Sequence, residues 1–163
     1  MNTTLRNLVL LPLLAAAGSA PCQPAEPQFS LTISSQDVNV KAGSSVRITI
    51  SLRNTSGHDQ PISWAHGAPE ATFDISVVES GGRPAAKTRS HSEARGEGPN
   101  AGGGAISWVI GSLKPGAEIN EQTMIERLYD ISKPGNYIVR ATYRNGRAAP
   151  IAQSNSITLT VKP

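Results

Sequence analysis

His58, His66 and His91 are the three histidines of the chain, and imidazole nitrogen is a preferred donor to zinc and copper. His58-Asp59 stands in a turn after a strand, and His66 follows Trp64 by two residues. That spacing places both rings at one end of the fold, where Glu70 or Asp74 completes a candidate zinc or copper site. Met124 adds a thioether, which in a core-like position packs rather than ligates. Trp64 and Trp108 carry aromatic faces suited to stacking on a ligand, but their alternation with polar neighbours assigns both to packing. Trp108 is therefore taken as structural, and Trp64 is kept as a binding candidate.

Catalytic constellations are missing from the sequence. No Gly-x-Ser-x-Gly elbow occurs, and Ser56-Gly57-His58-Asp59 packs its groups too closely for a relay triad. The carboxylate pairs Glu118/Glu121 and Glu93/Glu97 fall in polar segments. Gly102-Gly103-Gly104 lacks the Lys-Ser/Thr of a phosphate loop. No catalytic residue and no cofactor are assigned, and a non-enzymatic chain is expected.

The elements that must position these residues are strands. Phe29, Leu31 and Ile33 alternate with Ser30, Thr32 and Ser34, and Val38 with Val40 adds a short segment. Val46, Ile48, Ile50 and Leu52 form the clearest inward row, followed by the turn cluster Asn54-Thr55-Ser56-Gly57, whose side chains can bond to nearby backbone. Phe73, Ile75 and Val77 make the next strand, and Ile106, Trp108 and Ile110 share one face of another. Glu118–Leu128 mixes signals and is assigned as a strand that tightens into a helical turn near Tyr129. In Leu128–Arg144, Pro134 presets a turn that Gly135 completes, and Tyr137, Val139, Ala141 and Tyr143 then alternate with polar residues. Tyr137 suits the hydrogen-bonded tyrosine of a sandwich corner. Ile157, Leu159 and Val161 close the chain.

This rhythm specifies an all-β, immunoglobulin-like antiparallel sandwich of about seven to nine strands over residues 28–163. Residues 81–104 are rich in glycine and carry no large apolar side chain, so they are expected to form a long mobile loop.

Residues 1–20 are organised as an export signal. Arg6 precedes the short apolar stretch Leu8–Ala17 and the small residues Ala15–Ala20. Residues 21–27 form a proline-rich tether. The apolar stretch is too short to span a bilayer comfortably, so no stable membrane span is expected. Cys22 is the sole cysteine, so the domain has no internal disulfide. Its preceding Ser19-Ala20-Pro21 disfavours a lipid anchor. The expected location is periplasmic or extracellular. The whole chain has 15 Lys and Arg against 12 Asp and Glu, and removing Arg6 with the leader leaves 14 against 12, a balance too even for nucleic-acid binding.

Three features in order carry a family resemblance. They are Leu52-Arg53-Asn54-Thr55-Ser56 with Gln60-Pro61-Ile62, then Phe73-Asp74-Ile75-Ser76-Val77, then Leu113-Lys114-Pro115-Gly116 with Pro134-Gly135-Asn136-Tyr137-Ile138-Val139. The chain resembles the intracellular proteinase inhibitor family of bacterial Ig-like sandwiches and, equally, exported bacterial sandwich domains. The resemblance implies the sandwich fold. It also implies an inhibitory surface at Lys87-Thr88-Arg89-Ser90, where Lys87 and Arg89 would suit a protease of basic primary specificity. The function expected from all of this is an exported, non-catalytic module that binds another envelope or extracellular protein. Proteinase inhibition and copper or zinc binding are the alternatives.

Overall fold

The structure is a computed structural model of the 163-residue chain, and it describes residues 27–94, 107–145 and 151–163. The expected export signal and most of the tether lie outside the described residues, as does Ile106.

In chain order the strands are β1 (Phe29–Ser35), β2 (Asn39–Lys41), β3 (Arg47–Asn54), β4 (Gln60–Ala65), β5 (Phe73–Glu79), β6 (Trp108–Leu113), β7 (Glu118–Met124), β8 (Gly135–Tyr143), β9 (Ala152–Gln153) and β10 (Ile157–Lys162). Three short helical segments intervene: α1 (Pro69–Thr72), α2 (Arg89–Ala94) and α3 (Ile125–Leu128). One layer has the order β1-β3-β7, and the facing layer has β2-β10-β8-β5 with β9 against β8. β4 and β6 form a separate two-stranded ribbon. All pairings are antiparallel except β2 with β10. The count exceeds the expected seven to nine only because β2 and β9 are three and two residues long.

Two-residue periodicity drives the packing. Leu31, Ile33, Ile48, Ile50 and Leu52 from one layer meet Ile75, Val77, Val139, Leu159 and Val161 from the other, and each is buried. Each such aliphatic side chain contributes about 1.5–3 kcal/mol by leaving water. Tyr143 sits at the centre, its ring 5.6 Å from Phe29 across the layers and 5.9 Å from Phe73 on the neighbouring strand. Burial raises the Tyr143 hydroxyl above its ordinary pKa, which the Ser63 backbone partly offsets. At the start of β8, the Tyr137 hydroxyl donates to the Lys133 carbonyl at 2.9 Å, the bond that closes a sandwich corner.

The segment expected to be a mobile loop is in part a docked one. Gly82, at φ +84°, turns the chain after β5. The Glu79 N–H then donates to Arg83 O at 2.8 Å and the Ala85 N–H to Val77 O at 2.9 Å. Further on, the Thr88 N–H donates to Leu128 O and the Asp130 N–H to Ala86 O. Backbone ladders on both sides, with Ala85 and His91 inserted into the core, replace the large side chains that the sequence lacks here. Residues 95–104 of the expected loop lie outside the described residues.

Asn54, at the end of β3, is fully buried. Its Nδ2 donates to the carbonyls of His58 at 2.8 Å and Leu113 at 2.7 Å. Its Oδ1 accepts from the N–H and Oγ of Ser56 at 2.9 and 2.7 Å. The backbone joins in: the Asn54 N–H donates to Ala117 O and the Gly116 N–H to Asn54 O. Gly116 reaches that position because Pro115-Gly116 makes a turn with φ +75° at the glycine, closed by the Ala117 N–H on Lys114 O. Replacing Asn54 by Ala leaves the buried Leu113 carbonyl without its amide partner and removes the bonds to His58 and Ser56, and is expected to lower stability by about 2 kcal/mol. A urea titration should show the midpoint falling with the slope unchanged.

Candidate functional site

Three of the four exposed large apolar side chains among the described residues, Trp108, Val109 and Ile110, stand on β6 of the β4–β6 ribbon. Its register pairs Gln60 with Leu113, Ile62 with Gly111, Ser63 with Ile110, Trp64 with Val109 and Ala65 with Trp108. Opposite residues in a ladder point to the same side. Gln60, Ile62, Trp64, Val109, Gly111 and Leu113 therefore share one face. Ile62, Gln60 and Leu113 are buried there, and Trp64 is half-buried against the core. The other face carries Trp108 and Ile110.

That outward face corrects the assignment of Trp108 to the core. Trp108 is 48% exposed and Ile110 is 85% exposed, and Val109 between them is 36% exposed. The reason is topological. β6 pairs with β4 alone, and no opposing layer covers its outer side among the described residues. A period-two pattern says which residues share a face but not whether that face meets a second sheet.

The ribbon is held at both ends. The Asn54 amide binds Leu113 at the end of β6 and His58 just before β4. At the far end of β4, the Ala65 N–H donates to Thr72 Oγ1 at 2.8 Å, clamping α1 against it. Along the edge, Asn145 Nδ2 donates to Pro61 O at 3.1 Å. Neither β4 nor β6 contains a charged residue.

The two histidines expected to share an end of the fold stand at opposite ends of β4. The six residues of that strand advance roughly 20 Å, too far for a common ion. The Gln60 amide lies 2.8 Å from His58 Nε2, and His66 Nδ1 lies 3.4 Å from Glu121 Oε1. Asp74 is 4.0 Å from Arg144 on β8's end, and Glu70 is in α1. Among the described residues, no group of three or more His, Cys, Asp or Glu side chains is placed to hold a metal ion. The paired-histidine site is thereby withdrawn.

Lys87 and Arg89 are exposed on the docked segment rather than on a free loop. Lys87 forms a bridge with Tyr129, and Arg89 opens α2 with its Nε 2.7 Å from Glu93 Oε1. Trp64 is on a different element, so the structure does not gather the three binding candidates into one site. Ile110 and Val109 are the residues that sequence reasoning missed. Their signal was present: Trp108-Val109-Ile110 is a run of large apolar residues that departs from strict alternation.

Comparison with known proteins locates the chain only by shape. No protein-family model and no curated protein matches it. Among solved structures it is similar to the CARDB domain of a Pyrococcus furiosus protein solved in complex with di-metal ions, at 12% identity and a TM-score of 0.45, covering 83% of this chain and 93% of that one. It is also similar to a β-glucosidase from Listeria innocua, at 12% identity and 0.43, covering 83% of this chain and 16% of the enzyme. A third is the alkylpurine DNA glycosylase of Pseudomonas fluorescens, at 14% identity and 0.43, covering 83% and 31%. The chain thus spans less than a third of each of those two enzymes.

Because Trp108 is half-exposed and Trp64 packs on the core, iodide should quench mainly Trp108. In Trp108→Phe the quenchable fraction of tryptophan emission is expected to fall at least threefold, with the melting temperature unchanged.

Proposed function

We propose that this chain is a non-catalytic accessory domain that binds protein through the β4–β6 ribbon, and that it works outside the cytoplasm. The observation that carries this reading is the exposed apolar row of Trp108 and Ile110 on a charge-free strand. Exposed apolar side chains grouped on a rigid element mark contact surfaces, and an open strand edge adds main-chain donors and acceptors for a partner. Support for export comes from residues 1–20, where a cation, a short apolar stretch and small residues follow in order. The reading is tested by capture from the native envelope with wild-type protein and with Ile110→Lys, a substitution at a position 85% exposed. Recovery of a specific partner should drop at least tenfold in the variant, and equal recovery would remove the ribbon from the interface.

A second reading, proteinase inhibition, is favoured by one observation. Lys87 is presented on backbone held by the Thr88 and Asp130 N–H bonds, so the segment is preorganised rather than floppy. If this reading holds, trypsin-like proteases slow in the presence of the protein, and Lys87→Ala abolishes the effect. Unchanged rates across a panel of serine proteases would exclude it.

A further inference from the structure

We infer that two copies of this chain pair through β6, edge to edge and antiparallel about a two-fold axis at Ile110. The inference rests on the ribbon being the contact surface and names what first occupies it.

Every other strand edge among the described residues carries a feature that discourages pairing. β1 is engaged at Ile33, whose N–H donates to Asn155 Oδ1 at 2.9 Å and whose carbonyl accepts from Asn155 Nδ2 at 3.0 Å. β2 is three residues long and ends in Lys41, and β9 is two residues long. β5 is covered by the returning segment at Arg83–Ala85. β7 carries Glu118 on its outer face and Glu121 on its inner one, opposite Ile50. β4 contains Pro61 and packs against α1. β6 has neither charge nor proline, and its ladder ends on it.

The residue order of β6 is complementary to itself. With Ile110 opposite Ile110 of the second copy, Trp108 falls opposite Ser112 and Val109 opposite Gly111. Large meets small on both faces, and the one large pair is the central isoleucine contact. On the inner face Gly111 has no side chain of its own, and the Trp64 ring lies beside it, 3.8 Å from where a Cβ would stand. No charged side chain stands on β6, so no like charges meet along the paired strands. A two-fold interface of this kind closes on itself and stops at a dimer. With exposures of 48% and 85%, Trp108 and Ile110 offer on the order of 250 Å² of side-chain surface per copy. Together with a six-residue ladder this stays below ~1,200 Å² in total, the size range of weak, exchanging complexes. An external partner strand competes for the same edge, which makes the pair a resting form.

Sedimentation equilibrium of the purified protein from about 1 to 500 μM tests this. Wild type should move from monomer to dimer and no further. Ile110→Lys and Ile110→Glu should each weaken association at least tenfold while keeping the wild-type circular dichroism and melting temperature. An equimolar mixture of the two should recover at least tenfold tighter pairing than either alone, because the axis sets residue 110 against itself. A wild type that stays monomeric, a mixture no better than its components, or growth past the dimer overturns the two-fold pairing. If wild type is monomeric yet Ile110→Lys still loses an envelope partner, self-pairing falls and the ribbon reading stands. If neither effect is seen, both fall.

Discussion

The buried amide of Asn54 is the interaction on which the rest of this molecule's outer architecture depends. A side-chain amide has two donor hydrogens and one acceptor oxygen. Here both donors and the acceptor are used, on His58, Leu113 and Ser56. One bond reaches four residues along the chain, and another reaches fifty-nine. The short-range bonds shape the turn after β3, and the long one ties that turn to the end of β6. Without it, the β4–β6 ribbon would keep its core contacts through Ile62 and Leu113, α1 and the Asn145 contact, but would lose the bond that ties the end of β6 to the end of β3. Low surrounding dielectric makes such a network strong when complete and costly when broken.

Behind that anchor the two layers are held by packing and hydrogen bonds. Its lone cysteine, Cys22, precedes the sandwich, so no disulfide crosses the layers, and the aromatic inventory is small. The cluster of Phe29, Phe73 and Tyr143 takes the central place that a disulfide and tryptophan hold in antibody domains. At the margins the chain uses polar devices, two local and one long-range: the Tyr137 hydroxyl at the corner and the hairpin return on β5, and the Asn155 amide along β1. Each satisfies or covers backbone groups that would otherwise invite another strand. β6 stands out against this background because its outer edge and apolar face lack comparable devices among the described residues.

The misread elements share a cause. Residues 81–94 have the composition of a mobile segment, but composition measures side-chain burial and ignores backbone ladders that a neighbouring strand can supply. The histidines on either side of β4 are close in sequence, but an extended strand converts the seven residues between them into a long separation. Trp108 and Ile110 follow the two-residue period of a core strand, yet periodicity is a property of one strand, and burial needs a second surface. Lys87 and Arg89 are exposed as their segment's polarity implied, but bridge and helix formation hold them in a defined place.

What the sequence alone determined is what local chemistry can enforce. The inward row Val46–Leu52, the Lys-Pro-Gly turns, the Asn54 turn cluster, the strand that tightens into α3 and the Tyr137 corner all follow from contacts within a few residues, and together they specify an all-β sandwich. The tertiary structure decided which strands lie at an edge, which apolar face remains uncovered, that Asn54 reaches Leu113, and that His58 and His66 stand apart. Those outcomes depend on pairings between segments distant along the chain, and a linear pattern carries no information about what will lie on the other side of a strand once it has folded.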